Sequence, residues 1–308
     1  MNVDVTRNIL TDEVLSRFDL ATEEATGLPN ACYTSKEWLK AENTRLFAKT
    51  WMLAGFCHDI PGKGDACPVD LAGMPLLILR DNDGEIRVFH NVCRHRGAVI
   101  VPEKCSAQRM LTCPYHAWAY GLDGTLRSRP HFYGGDNHDT DPGADAPGLV
   151  PVRHAVWHDL IFVNISGDAI PFEEHWEPFT RRTGDYDFSA LRYARTLEFD
   201  VKGNWKLILE NFFDAYHVPA VHPKLEEFAP IHTREGTQFE GPWFHNTNPI
   251  TEPQEGRGMG MPFYPGLDAV GQNRPEGNEV GVDAGVWLHV GVRRAEELLG
   301  VLGSQGLH

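Results

Sequence analysis

The spacing of apolar positions changes along the chain and divides it into stretches of different character. Residues 1–50 read as a helical lead-in, with Ser35-x-x-Trp38 as a start signal ahead of Leu39, Leu46, Phe47 and Trp51. Glu37 and Glu42 suit the first turns of that helix, and packing is the expected role of its apolar positions. From about Trp51 the period becomes that of strands. Met74–Arg80 and 85–89 are branched apolar runs joined by Asp81-Asn82-Asp83-Gly84, which predicts a hairpin leading into Asn91-Val92-Cys93. The device repeats after His116: residues 117–121, an Asp123-Gly124 turn, then 125–127. A Gly-, Asp-, Pro- and Ala-rich stretch at 133–151 predicts an exposed loop or domain junction. Beyond it, 157–165 and 193–199 read as strands and 172–188 as helical. In 204–223, Trp205, Leu209, Phe212 and Tyr216 recur at helical spacing and are expected to face the core.

Composition narrows the class. The 308 residues carry 28 basic and 43 acidic side chains, a net charge of −15 that argues against binding nucleic acid or anionic lipid through bulk charge. The apolar runs at 74–79 and 160–163 are too short to span a membrane, and the charged N-terminus lacks a signal core. A soluble cytoplasmic protein is expected. Six cysteines in a chain this long do not make a disulfide scaffold; Cys32, Cys57, Cys67 and Cys105 are expected to be buried free thiols.

The other two cysteines belong to a chemical motif. Cys93-x-His95 and Cys113-x-x-His116 are separated by seventeen residues, and each pair lies in a loop between strand signals, where backbone N–H groups are free to bond sulfur. Gly97 and Pro114 fit as residues that shape those loops. Two thiolates on one iron and two imidazoles on the other make a Rieske [2Fe–2S] centre. A structural Cys2His2 zinc site uses the same ligand types, but usually takes both cysteines from one half and both histidines from the other. His58 and His90 lie near in sequence without ligand spacing and read as packed or solvated.

A second constellation follows. Glu210, Asp214 and His217 fall at i, i+4 and i+7, on one polar stripe of a helix. His217 and His222 are five apart, about 140° around a straight helix. Pro219 between them removes a backbone donor and is expected to end or bend the helix after His217, bringing both imidazoles to one metal. Two histidines with a carboxylate form the facial triad of non-haem Fe(II) oxygenases. The alternative is a solvated helix end with incidental histidines.

NVCRHRGA, CPYHAWAYGLDGTL and NWKLILENFFDAYHVPAVHP, taken together and in this order, resemble the motifs of the Rieske non-haem iron ring-hydroxylating oxygenases, large (α) subunit, over residues 33–225. The resemblance implies an α+β fold: a helical lead-in at 1–44, an antiparallel Rieske domain at 45–152, and a helix-and-antiparallel-sheet catalytic domain at 153–308. It implies Cys93, His95, Cys113 and His116 as cluster ligands and His217 and His222 as ligands of a mononuclear Fe(II). It also implies Asp214 as the bridge from an iron histidine to a cluster histidine of the neighbouring subunit, so that an electron leaving through His95 or His116 crosses an interface. The unit would be a homotrimer, or a trimer with small β subunits. A reductase, with or without a ferredoxin, would supply electrons from NAD(P)H. On this acidic chain Arg94, Arg96, Lys104 and Arg109 are candidates for a docking patch for an acidic ferredoxin, with ordinary solvated charge as the alternative. Glu210, Asn211 and Tyr216 are candidates to support the iron ligands, with capping or packing as the alternative for each.

The third ligand in such enzymes is a carboxylate far downstream. Only Asp268 and Asp283 are available aspartates there, in Gly- and Pro-rich surroundings, and neither is assigned; the catalytic domain is expected to be shortened or altered in frame near its end. The expected activity is O2-dependent hydroxylation of an organic substrate. An aspartate at 214 leans towards aromatic rings, with quaternary amines or demethylation as the alternative class. A Rieske electron carrier with a degenerate second site, and a zinc protein, remain as competing readings.

Overall fold

A computed structural model describes residues 5–245, apart from 19, 22, 185, 186, 198, 229, 234–237, 241 and 242. The chain divides into two units: Phe47–Ala169, and the described residues of Met1–Leu46 with Ile170–His308.

The flanking unit opens with helices α1 (Val5–Ile9), α2 (Asp12–Ser16), α3 (Ala31–Thr34) and α4 (Lys36–Arg45). Ser35 caps α4 as its sequence suggested: its backbone is extended, and Oγ accepts the Trp38 N–H at 3.1 Å, a contact worth about 1 kcal/mol. The buried stripe is Trp38, Ala41 and Glu42, at i, i+3 and i+4, whereas Leu39 is 43% exposed. Glu42 therefore serves packing rather than the helix dipole. It is buried, accepts the indole N–H groups of Trp38 (2.8 Å) and Trp205 (3.1 Å), and pairs with buried Lys206.

Phe47–Ala169 holds β1 (Met52–Phe56), β2 (Ala66–Leu71), β3 (Met74–Arg80), β4 (Ile86–His90), β5 (Leu111–Thr112), β6 (Ala119–Tyr120), β7 (Leu126–Ser128), β8 (Arg153–Trp157) and β9 (Leu160–Asn164). They form three antiparallel sheets, ordered β1-β9-β8, β2-β3-β4 and β5-β6-β7. The unbroken apolar run in β3 has a direct cause. Leu76 and Ile78 enter a core with Val88, Ile161 and Val163, while Leu77 and Leu79 enter the opposite core with Phe89, Cys93, Cys113 and Tyr120. A strand buried on both faces needs no alternation, and each such side chain contributes about 1.5–3 kcal/mol. In the β3–β4 turn, Asp81 accepts the N–H groups of Asp83 and Glu85, both at 2.9 Å, and pairs with Arg87. Burial alone would raise the Asp81 pKa; these partners outweigh it and hold the carboxyl below its ordinary value.

Residues 157–165, read as one strand, are instead the end of β8, a tight turn and β9, with Trp157 paired to Leu160. The turn places His158 at φ 52°, a conformation that neither Gly nor Asn marks in the sequence. The compact unit runs to Ala169, because the β8–β9 hairpin pairs with β1.

The flanking unit resumes with α5 (Phe172–Thr183), α6 (Trp205–Phe213), α7 (Val218–Val221), α8 (Pro223–Phe228), β10 (Gln238–Glu240) and β11 (Trp243–His245). The described part of 193–199 forms no strand, and Tyr193, Leu197 and Phe199 are exposed. The mixture of helices and antiparallel sheets is the expected α+β class. Among the described residues no helix is long and apolar enough to cross a membrane.

Candidate metal centres

The two Cys-His loops close in the same way. The Cys93 N–H bonds the Ala98 carbonyl (2.8 Å) and the Cys93 carbonyl accepts the Gly97 N–H (3.0 Å); Cys113 repeats this with Trp118 (2.8 Å) and Ala117 (3.0 Å). The fifth residue of each loop is left-handed: Gly97 at φ 75° and Ala117 at φ 54°. Glycine adopts that conformation freely, whereas Ala117 bears about 1–2 kcal/mol of strain. Two matched loops put both sulfurs inside and both imidazoles outside. Cys93 and Cys113 are each 2% exposed, while His95 and His116 are exposed, their ring centroids 4.6 Å apart.

This donor set fits a two-iron cluster. Burial pushes the Cys113 thiol up, its contact with Cys93 adds to that, and the N–H groups of Tyr115 and His116 bond its sulfur and pull the other way. Tyr120 Oη lies 3.3 Å from Cys93 Sγ and accepts the Arg94 N–H at 3.1 Å, which leaves its proton for the sulfur. Among the described residues, the only three metal-ligating donor atoms all within 4.8 Å of one another are on His131, Asp136 and His138. No three of Cys93, His95, Cys113 and His116 are that close, as donors around one tetrahedral zinc would be. The sequence reading missed Ala117, Tyr120 and Trp118, whose indole stacks on His95 at 4.7 Å and 7°. Tyr120 and Trp118 were in plain view within the motif, but only the topology says which atoms they meet.

The second constellation is built differently from its sequence reading. The helix does not continue to His217: α6 ends at Phe213, and Asp214 is its extended C-cap. Asp214 Oδ1 accepts the Tyr216 N–H at 2.7 Å, a local turn that competes with the helix. Pro219 instead sits in the first turn of α7, where its missing N–H is harmless. Glu210, Asp214 and His217 thus do not share one helical stripe. Glu210 turns to Tyr33, whose hydroxyl donates to it at 2.6 Å. The buried apolar positions of α6 are Leu209 and Phe213, packed with Trp205, while Phe212 is 43% and Tyr216 82% exposed.

The imidazoles nevertheless come together. His217 is the N-cap and His222 the C-cap of the one-turn helix α7, with ring centroids 5.3 Å apart. Asp214 Oδ2 lies 3.2 Å from His217 Nδ1. A carboxylate there holds the proton on Nδ1 and leaves Nε2 for a metal, the usual support of a ligating histidine. The two histidines and this carboxylate fit a mononuclear iron in two of its protein ligands; Asp268 and Asp283 lie outside the described residues.

Elsewhere, His58 pairs with Asp159, whose Oδ1 also accepts the His58 backbone N–H at 2.9 Å. His90 ends β4 half-buried, and burial lowers its pKa. Cys32 is a buried thiol pushed up to about 11 mainly by burial; Cys57, Cys67 and Cys105 are half-buried thiols. Arg94, Arg96 and Arg109 are exposed, and Lys104 pairs with Asp59 at 3.0 Å. The exposed trio at 131, 136 and 138 closes on its own loop: His138 Nδ1 accepts the His131 N–H at 3.0 Å.

Comparison with known proteins finds two domain matches along the chain. Residues 50–134 match the Rieske [2Fe-2S] domain, and residues 188–279 match the catalytic domain of the ring hydroxylating alpha subunit. The chain thus carries a match to a Rieske [2Fe–2S] domain followed by a match to a ring-hydroxylating alpha subunit catalytic domain, a pairing that implies a Rieske cluster and a mononuclear iron. It is 30% identical over 198 residues to the glycine betaine monooxygenase oxygenase subunit of Chromohalobacter salexigens, covering 64% of this chain and 43% of that one. It is 28% identical over 236 residues to the carnitine monooxygenase oxygenase subunit of Escherichia coli K12, covering 74% and 62%. The fold is similar to that of a quaternary ammonium Rieske monooxygenase crystallised with gamma-butyrobetaine, at TM-score 0.64 and 24% identity, covering 79% of this chain and 66% of that one. The chain spans about 45% of the length of the glycine betaine relatives it matches.

Proposed function

We propose that this chain is the terminal oxygenase component of a Rieske system, using O2 to hydroxylate a small organic substrate. The observation that carries the reading is the pairing, in one chain, of a mixed Cys/His cluster site with a two-histidine site whose His217 rests on a carboxylate. Cys93, His95, Cys113 and His116 are the proposed cluster ligands, and His217 and His222 the proposed iron ligands. When bound, the cluster supplies one-electron transfer and the iron supplies O2 activation.

The chain's own residues have separable tasks. The Cys113 sulfur receives backbone N–H groups and Cys93 receives the Tyr120 hydroxyl, so the thiolate charge is met by donors. His95 and His116 present their imidazoles at the surface. Asp214 fixes the tautomer of His217 through Oδ2, and its side chain is 41% exposed. A half-exposed carboxylate has lone pairs left for a second imidazole, which supports the proposed bridge to a cluster histidine of a neighbouring subunit in a trimer. Electrons are proposed to come from NAD(P)H through a reductase, with or without a ferredoxin that docks near Arg94, Arg96 and Arg109. Small β subunits are compatible with this scheme.

For the substrate we favour a quaternary ammonium compound, as named for the relatives above. An aromatic substrate is the second reading, favoured by the ring-hydroxylating match at 188–279 and by the aspartate at 214. Substrate-dependent O2 uptake with a Rieske reductase, with products identified by mass spectrometry, tests both. Uptake with neither betaines nor aromatic acids would leave electron carriage as the better account.

A further inference from the structure

One buried ion pair beside the cluster site has no part in the account above. Arg129 and Asp139 form an isolated antiparallel bridge, with N–H···O=C bonds of 2.7 and 3.1 Å in the two directions. Their side chains join as well: Arg129 Nε donates to Asp139 Oδ2 at 2.6 Å, the terminal nitrogen reaches the same oxygen, and the side chains are only 16% and 8% exposed. The guanidinium packs 3.7 Å from the Phe132 ring centroid and 5.5 Å from that of Trp118. Trp118 is 7% exposed and lies face to face with His95. A buried cation is thus one aromatic ring away from an imidazole of the cluster site.

A hairpin clamp would not need these residues. Replacing a buried ion pair with apolar side chains of similar size is often neutral or stabilising, so stability alone gives little reason for a charge at this depth. Position gives a reason. Reduction adds one negative charge to a [2Fe–2S] centre; a nearby fixed cation favours the reduced state, and a nearby anion the oxidised one. Asp139 is buried and the Arg129 side chain is largely covered, so solvent reaches the pair only in part and screens the effect incompletely.

We infer that Arg129 and Asp139, seated on His95 through Trp118, pull the reduction potential of the Rieske cluster in opposite directions, the cation raising it and the anion lowering it. The inference rests on the assignment of Cys93, His95, Cys113 and His116 as cluster ligands, and that assignment has its own readout in the iron, acid-labile sulfide and visible absorption of the purified wild-type chain. The inference itself is read by redox titration of the cluster, followed by its EPR signal.

Arg129→Met leaves the Asp139 anion, and the potential falls. Asp139→Asn leaves the Arg129 cation, and the potential rises. Each change corresponds to about a three- to tenfold change in the reduction equilibrium, tenfold being about 59 mV for one electron. The double variant returns to within about twofold of wild type, and Arg129→Lys, which keeps the charge, stays close to it. Shifts of the two single variants in the same direction, or no shift with the cluster retained, would overturn the inference. So would loss of the cluster from both single variants with Arg129→Lys intact, since the pair would then act only as a structural clamp. A wild-type chain without iron and sulfide would instead overturn the ligand assignment.

Discussion

Asp214 Oδ2 stands 3.2 Å from His217 Nδ1 across a break between two helices, while Asp214 Oδ1 holds the Tyr216 N–H that makes the break. One carboxylate therefore both ends α6 and orients the first histidine of the proposed iron site. Asp214→Asn retains the turn but weakens the histidine contact. Turnover is expected to fall about 10–100-fold, the usual cost of losing such a support, with both metals retained. Stopped-flow re-oxidation of the reduced cluster reads the step, and an unchanged rate would remove Asp214 from the electron path.

Tyr120 spans Cys93 Sγ and the Arg94 N–H. Tyr120→Phe removes a hydrogen bond that stabilises the sulfur more as cluster charge grows more negative. The cluster potential is expected to drop by roughly 40–90 mV, equivalent to about 1–2 kcal/mol for a one-electron couple. An unchanged potential in a cluster-loaded Tyr120→Phe protein would contradict the donor role.

These two sites also differ in how much of them the sequence reveals. The two Cys-His loops were legible as loops because each pair lies within a few residues between strong hairpin signals, and the doubly buried β3 run was legible as a strand. The end of α6 was misread because Pro219 looked like the breaker, whereas the side chain of Asp214 stops the helix a turn earlier. The core stripe 205, 209, 213 and the outward-facing Phe212 and Tyr216 depend on that same ending. The His158 turn carries no residue that announces a left-handed backbone. Contacts such as Tyr120 with Cys93 join residues 27 apart in sequence and exist only once the sheets are paired.

The buried Glu42–Lys206 pair ties α4 to α6, the helix that ends at Asp214. Glu42→Ala leaves Lys206 charged and buried, and is expected to cost about 3–5 kcal/mol. The double change Glu42→Leu with Lys206→Met is expected to recover most of that loss. Urea unfolding curves decide the point, and additive losses in the two single variants would contradict a paired role.

His175 is 5% exposed, its Nε2 has no hydrogen-bond partner among the described residues, and burial pushes its pKa down to about 4. The native state holds it neutral, whereas the unfolded chain takes up a proton below about pH 6.5. Its contribution is present above that pH and is lost as pH falls from about 6.5 towards 4, amounting to about 2 kcal/mol by pH 5. Comparing the pH dependence of unfolding in wild type and His175→Phe isolates this part; identical slopes between pH 7 and 5 would refute it.

The central claim, that electrons held at the Cys93–His116 loops serve an iron at His217 and His222, is tested most directly by a single-turnover experiment. The purified chain is reduced anaerobically, freed of reductant and mixed with O2 and a turnover substrate, while the Rieske absorption is followed. Rapid re-oxidation in wild type, and at least about 100-fold slower re-oxidation in His222→Ala with its cluster intact, is the expected result. Equal rates in the two proteins would contradict it and leave a cluster that passes its electrons elsewhere.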